Sequence, residues 1–166
     1  MIHIKIKLTI MWVGQHPGMV GQHAPEWWVN MFRNIHHKEW KENLHKYITG
    51  IFQHNNHKML QINSMPDHIH IFIGMRPHQS ISAIVQNVKT ESSKWVKAQK
   101  YCKGSFTWQE GYGAFSYSKS HVPNVIRYIQ NQEAHHKKET FLDEYRKMLK
   151  VFDVEYDGQY IFKEPI

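Results

Sequence analysis

Hydrophobic and polar positions alternate along the start of the chain. Residues 2–10, IHIKIKLTI, have the period of two that is typical of a β-strand with one wet face. Residues 14–26 hold three glycines and two prolines, which predicts a loop. Residues 38–53 then predict a helix, because their apolar side chains recur at helical spacing: Trp40, Leu44, Tyr47, Ile48 and Ile51.

The middle of the chain predicts a hairpin followed by a second helix. Residues 58–64 and 68–74 are strand-like, and a short turn at 65–67 joins them, so the two strands should run antiparallel. Ser80 is a suitable N-cap for a helix that extends to about Lys97. The inward face of that helix carries Ile81, Ile84, Val85, Val88 and Trp95.

The remaining third predicts short strand pieces at 106–109 and 113–117, a helix at 122–136 and a charged helix at 138–150. Residues 160–162, YIF, could add a short edge strand. The order strand, helix, strand, strand, helix, strand is that of a ferredoxin-like α+β sandwich, βαββαβ, with an antiparallel sheet. We therefore expect one domain, residues 1–166, with additional C-terminal helices.

Composition narrows the choice of partners. The chain has 21 Lys and Arg against 14 Asp and Glu, a net charge of +7, which favours a polyanion such as nucleic acid; an inert basic surface gives the same balance. One cysteine, Cys102, excludes an internal disulfide. We expect no membrane span and no signal peptide, and hence a soluble protein of the cytoplasm.

The most informative stretch is MPDHIHIFIG at 65–74. In a strand, residues i and i+2 point to the same face, so His68 and His70 lie together, about 6–7 Å apart. The alternating isoleucines point to the core, and we expect the histidines on the open face, away from the helices. Two imidazoles are half of a metal site; a solvated strand face that carries histidine by chance is the alternative.

The helix at 122–136 offers candidates for the other half. Tyr128 and Gln132 are four residues apart and share one helical face. A tyrosine oxygen can attack phosphorus and form a phosphoester, and a glutamine carbonyl suits a hard cation. Each residue is also common as a rim aromatic or a surface amide, so residue chemistry alone leaves both interpretations open.

Three segments together resemble a known family. PDHIHIFIG, WQEGYGAFSYS at 108–118 and VIRYIQNQEAHHKKETF at 125–141 are similar to the single-tyrosine HUH transposases. These enzymes belong to small bacterial insertion sequences that move as single-stranded DNA, and their relatives include transposases associated with repeated extragenic palindromes. The resemblance extends from about residue 35 to the C-terminus.

The resemblance implies a divalent metal, Mg²⁺ or Mn²⁺, held by His68, His70 and Gln132, with Tyr128 as the nucleophile. It implies cleavage and rejoining of single-stranded DNA with hairpin ends through a 5′-phosphotyrosine. It also implies a homodimer with shared active sites in a bacterial cytoplasm. Neutral imidazole binds metal, so activity should fall at acid pH.

Some residues keep two interpretations. Asp67 could orient a histidine or only form the turn, and His136 could contact phosphate or metal or only end a solvated helix. Tyr117 is the competing tyrosine and suits a structural role. Residues 1–34 fit the family pattern poorly: either IHIKIKLTI is the first strand with an inserted loop, or WWVNMFR at 27–33 is its remnant.

Two other functions share these features. An RRM-like nucleic-acid-binding protein has the same element order, although this chain has no convincing aromatic RNP1-type strand. A metal-dependent phosphodiesterase would use water as the nucleophile, with two histidines as acid and base. The role of Tyr128 distinguishes these three functions, because only the transposase needs this residue for its chemistry.

Overall fold

The computed structural model describes residues 1–11, 38–65, 68–101, 105–135 and 140–156. Its strands are β1 (Ile2–Met11), β2 (Lys58–Ser64), β3 (His68–Gly74), β4 (Ser105–Trp108) and β5 (Gly113–Ser116). Its helices are α1 (Lys38–His54), α2 (Ile81–Gln99), α3 (Val122–Gln130), α4 (Gln132–His135) and α5 (Phe141–Val151), with a 3₁₀ turn at Lys119–His121.

The sheet has the order β2-β3-β1-β4, and β5 also pairs with β1. Every pairing is antiparallel, and the pairing of β2 with β3 confirms the predicted hairpin. Because β3 lies between β1 and β2, those two strands run parallel without touching, which is the split βαβ arrangement of the ferredoxin-like fold. The predicted α+β class is therefore confirmed. The first strand is β1, while WWVNMFR lies outside the described residues.

The two short strand pieces predicted at 106–109 and 113–117 are present as β4 and β5, and together they occupy the place of the fourth strand. β4 pairs with the second half of β1 and β5 with its first half, so both run along the same edge of one strand. Between them, the Lys89 ammonium donates to the carbonyl oxygens of Gln109 and Gly111. Gly111 has a φ of 77°, a conformation that favours glycine. The glycine and the lysine therefore hold the chain away from β1 at this point.

One face of the sheet packs against α1 and α2. The isoleucines of β3 are fully buried on this face, as the alternation predicted. Its core comprises Ile4, Trp40, Leu44, Ile48, Phe52, Ile69, Ile71, Ile73, Ile84, Val85, Val88, Val96 and Phe106. Because the isoleucines of β3 are buried in this core, His68 and His70 must point to the opposite face of the sheet.

The opposite face is covered, and the expectation that the histidines lie on an open face was wrong. Phe72 packs there against Val125 and Ile129 of α3. The Asn63 side-chain amide of β2 also donates to the Ile129 carbonyl oxygen at 2.8 Å. The reason is that α3 is strongly amphipathic, and the sheet offers an apolar patch beside the histidines for its apolar stripe. His68 and His70 are consequently only 1 % and 0 % exposed.

The C-terminal helices differ from the prediction in their bounds. The helix predicted at 122–136 breaks at Asn131, whose φ of −92° and ψ of 17° end α3 before α4 begins. Asparagine is a weak helix former, which suits this break. α5 begins at Phe141 because the Thr140 side chain caps the Asp143 N–H. Residues 136–139 and 160–162 lie outside the described residues.

Within the described part of the chain, no helix is both long and apolar enough to cross a membrane.

His45 connects α1 to the sheet and makes stability sensitive to acid. Its Nε2 lies 2.9 Å from Ser64 Oγ, and burial, with a smaller effect of Lys41, lowers the pKa of His45 from 6.5 to about 4. Between pH 6.5 and about 4, His45 is therefore neutral in the folded protein and protonated in the unfolded chain. We expect His45 to reduce the free energy of unfolding by up to about 1.4 kcal/mol per pH unit as the pH falls from 6.5 toward 4.

Denaturant unfolding of wild type and His45→Gln across this range measures the effect. The variant should lose part of the acid sensitivity, whereas His54→Gln, at an exposed position of the same helix, should keep it. Equal pH slopes for wild type and His45→Gln would contradict the assignment.

Candidate active site

β3 brings the two histidines of the HIH stretch together on the face covered by the C-terminal helices. Their ring centroids are 4.9 Å apart with planes at 70°. The ring of His68 also contacts Phe141 at the start of α5, at a centroid distance of 4.7 Å. Both imidazoles are therefore held by packing as well as by the strand.

Glu144 completes a group of three. Ligand atoms of His68, His70 and Glu144 all lie within 4.8 Å of one another, and all three residues are buried. The Glu144 carboxylate is 3.9 Å from His70 Nε2 and 3.6 Å from His135 Nε2. A carboxylate that is 3 % exposed among imidazoles is the arrangement expected of a cation site.

Sequence reasoning missed Glu144, although a signal was present. Phe141, Glu144, Tyr145 and Met148 follow the spacing i, i+3, i+4, i+7, so the glutamate stands in the stripe that a helix buries. Carboxylates are rarely buried unless paired or bound to metal. A glutamate inside an apolar stripe, next to a predicted metal site, could have been identified as a ligand candidate.

Gln132 reaches the same group despite the helix break. Its amide Nε2 donates to Glu144 Oε1 at 3.3 Å. Its Oε1 is buried and has no hydrogen-bond partner among the described residues. A buried carbonyl oxygen without a partner costs free energy, and a bound cation would remove that cost.

His3 was also missed by sequence reasoning. Its Nε2 lies 3.0 Å from Nδ1 of His70, and both side chains are fully buried. When His70 donates from Nδ1 to His3, its Nε2 keeps a lone pair for a ligand on the Glu144 side. The alternation of β1 places His3 on the polar face of that strand, which was the available signal. The sequence does not show that β1 pairs with β3, and this pairing is what brings His3 to His70.

Tyr128 on α3 stands beside this group. Its ring centroid is 5.9 Å from that of His70, 6.2 Å from that of His3 and 5.5 Å from that of His135. Its hydroxyl is buried and has no hydrogen-bond partner in the described part of the chain. A buried hydroxyl without a partner favours a ligand, and Tyr128 also forms part of the lining of a cavity of about 620 Å³.

Tyr117 lines the same cavity but differs in its environment. Burial, and to a smaller extent the neighbouring Glu144 carboxylate, raise the pKa of Tyr117 above its ordinary value of 10. Its neutral phenol is thus favoured, and its ring packs against Phe72 and Phe152. These contacts suit the structural role predicted for it.

The other two predicted residues, Asp67 and His136, lie outside the described residues. His135 is half-buried, and its side chain lies near both Tyr128 and the Glu144 carboxylate. The described site therefore consists of His3, His68, His70, Tyr128, Gln132, His135 and Glu144.

The donor set fits a divalent cation. Two imidazole nitrogens, one carboxylate and one amide carbonyl form a mixed nitrogen and oxygen environment, and the carboxylate supplies negative charge. The buried Gln132 Oε1 is the observation that favours a ligand here. The carboxylate and amide oxygens accept either Mg²⁺ or Mn²⁺.

Comparison with known proteins identifies the family. A family model described as "Transposase IS200 like" matches residues 27–132, which is more than half of the chain. The chain belongs to this family. It is accordingly a transposase by descent, a class of enzyme that acts on DNA. The matched segment contains His68, His70, Tyr128 and Gln132, whereas His3 and Glu144 lie outside it.

A solved structure agrees with the fold. The chain is similar to the crystal structure of a protein from Deinococcus radiodurans R1 that is described as a candidate transposase, with 19 % identity and a TM-score of 0.51. The match covers 79 % of this chain and 88 % of that one. At this identity the similarity supports the fold alone. A search of curated proteins found no significant match.

Proposed function

We propose that this transposase cleaves and rejoins single-stranded DNA through a covalent bond between Tyr128 and a 5′-phosphate. The observation that carries the proposal is the Tyr128 hydroxyl, buried without a protein partner among the described residues, beside the group of His68, His70 and Glu144. A nucleophile next to a cation site is what phosphoryl transfer requires.

In the proposed cleavage step, the Tyr128 oxygen forms a bond to phosphorus while the bond from phosphorus to the 3′-oxygen of the strand breaks. The phenol loses its proton and the leaving 3′-oxygen takes one up to become a hydroxyl, so the step consumes no net proton. The 5′ side of the break stays on Tyr128 as a phosphotyrosine. In-line attack needs the Tyr128 oxygen, the phosphorus and the leaving 3′-oxygen to lie roughly on one line, and the ring contacts of Tyr128 with His70 and His135 restrict where its oxygen can lie.

Rejoining is the same step in reverse with another strand. A 3′-hydroxyl attacks the phosphotyrosine, the bond from phosphorus to the 3′-oxygen forms, and the Tyr128 oxygen is released and takes up a proton. One phosphoester replaces another, so the exchange needs no ATP. A hydrolase would instead consume water and release the 5′-phosphate.

A divalent cation, Mg²⁺ or Mn²⁺, supplies charge neutralisation at the scissile phosphate when bound. His68, His70 and either or both of Gln132 and Glu144 would hold it. His3 positions the His70 ring through the contact between their nitrogens. The amide of Gln132 is itself oriented by its hydrogen bond to Glu144.

The test is whether a covalent protein–DNA complex forms. The protein is incubated with Mn²⁺ and single-stranded oligonucleotides that span the flanks of its own gene, and denaturing gels detect complexes that survive heating. Mass spectrometry should locate the nucleotide on Tyr128. Cleavage that releases free 5′-phosphate without any adduct would support a water-using phosphodiesterase instead, and binding without cleavage would support a nucleic-acid-binding module.

We also propose that the protein works as a homodimer with shared active sites. A Tyr128→Phe protein keeps its histidines, and a His68→Ala protein keeps its tyrosine. If a site combines the two from different subunits, mixing the inactive variants should restore up to roughly a quarter to a half of the adduct, since only mixed dimers are active. Mixtures without any adduct would contradict shared sites, and light scattering reports the oligomeric state of each variant.

A further inference from the structure

The cavity beside Tyr128 extends well past the catalytic group. It lies between the segment 116–128 and helix α5, and it has a volume of about 620 Å³. Tyr128 and Glu144 line its inner end, and Tyr117, Val125, Met148 and Phe152 line the rest with apolar surface. Metal binding and attack on phosphorus account for the inner end only, so the larger part has no role in the proposed chemistry.

Aromatic rings form one wall of this cavity. Tyr117 and Phe152 contact each other at a centroid distance of 5.3 Å with planes at 84°. Phe152 also packs against Phe115 at 5.1 Å, which fixes its position behind Tyr117. Rigid aromatic rings are the surfaces on which proteins stack unpaired nucleobases.

The rim adds polar groups and one exposed apolar side chain. Asn124 carries both a hydrogen-bond donor and an acceptor, and His121 and Ser118 lie near it at the start of α3. Lys147 adds a positive charge on the α5 side. Val151, also on the rim, is 80 % exposed, the highest value among the large hydrophobic residues that the structure describes as exposed. Such a rim suits a ligand with an apolar face, polar edges and an anionic backbone.

We propose that this cavity receives one nucleobase of the cleaved strand, next to the phosphate that Tyr128 attacks. The inference rests on the proposed function, because it is the position of Tyr128 that places the strand here. The base stacks on the wall of Tyr117 and Phe152, Asn124 faces its polar edge, and Lys147 lies toward the backbone. The cavity thereby selects an unpaired nucleotide, since a base in a duplex cannot enter it.

Photochemical cross-linking tests this assignment. Single-stranded oligonucleotides from the flanks of the gene carry 5-iododeoxyuridine at one position each, and they are irradiated with the full-length Tyr128→Phe protein, which cannot turn over. We expect one position to cross-link to Tyr117 or Phe152. An abasic site at that same position should weaken binding roughly tenfold, the size of one lost stacking contact.

Blocking the cavity provides a matched comparison. Asn124→Trp places a large side chain in the cavity, whereas Gln130→Trp makes the same change at an exposed position of α3 that does not line it. The first variant should lose the cross-link and the effect of the abasic site, and the second should keep both.

Other results overturn the inference in distinguishable ways. Cross-links elsewhere, for example at Tyr47 or Trp95, together with a normal Tyr128 adduct in wild type, mean that the nucleobase assignment is wrong while the proposed function stands. Cross-links in the cavity without any wild-type adduct mean that the cavity binds a nucleobase but that the proposed cleavage by Tyr128 is wrong. A change of oligomeric state in Asn124→Trp with unaltered cross-links means that the cavity serves a second copy of the chain, and no DNA binding at all excludes both proposals.

Discussion

Replacing Tyr128 with phenylalanine should abolish DNA cleavage and the covalent complex together. The change removes one oxygen and leaves the ring that packs against His70, His3 and His135, so the site should keep its shape. Loss of a nucleophile that no other group replaces lowers the rate by about 10⁴-fold or more. Gel assays with Mn²⁺ and single-stranded DNA measure both the cleaved product and the adduct.

Two further variants make this result specific. Tyr117→Phe, on the same cavity, should still form the adduct, because the pKa of Tyr117 is raised and its ring contacts indicate a packing role. Tyr101→Phe makes the same change on the other side of the sheet, where the ring packs on Trp40 and Trp95, and should behave as wild type. An adduct that persists in Tyr128→Phe and disappears in Tyr117→Phe would reverse the assignment of the nucleophile.

Replacing Glu144 with glutamine should have the largest effect on metal binding. The change removes the negative charge of the donor group while nearly preserving the shape of the side chain. Loss of a residue that only orients a ligand costs roughly 10- to 100-fold in metal affinity, so loss of a direct ligand should cost more than about 100-fold. Titration of the protein with Mn²⁺, followed by calorimetry or by the electron paramagnetic resonance of the free ion, measures the affinity.

Controls separate the two roles that Glu144 can have. Asp143→Asn removes the same charge from the adjacent, exposed position and should leave the affinity for Mn²⁺ unchanged. Gln132→Ala removes the amide that Glu144 accepts from. If Glu144→Gln costs tenfold or less while Gln132→Ala costs much more, the cation is held by Gln132, and Glu144 acts only by orienting that amide.

The segment that matches the family covers only part of the candidate site. The segment that matches the family contains the histidine pair, Tyr128 and Gln132. His3 on β1 and Glu144 on α5 lie outside the match, yet they contact His70 at 3.0 Å and 3.9 Å. Substitutions at these two positions therefore test residues that the family match does not cover.

The sequence by itself determined the order of elements and half of the site. Periods of two and of 3.6 residues are local properties, so β1, β2, β3, α1 and α2 could be predicted closely from them. Strand alternation placed His68 and His70 on one face, and helical spacing associated Tyr128 with Gln132. The association of Tyr128 with Gln132 survives the helix break at Asn131, because a helical turn resumes at Gln132 and its amide still reaches Glu144.

Only the tertiary structure decided what covers the histidines. The hydrophobic stripe of α3 predicts that the helix packs somewhere, but not that it packs on the histidine face rather than on the edge of the sheet. His3 and His70 are 67 residues apart and meet only because β1 pairs with β3. Glu144 joins them because α5 docks over the same face. Contacts of this kind depend on how whole elements fit against one another, and no local period in the sequence records that fit.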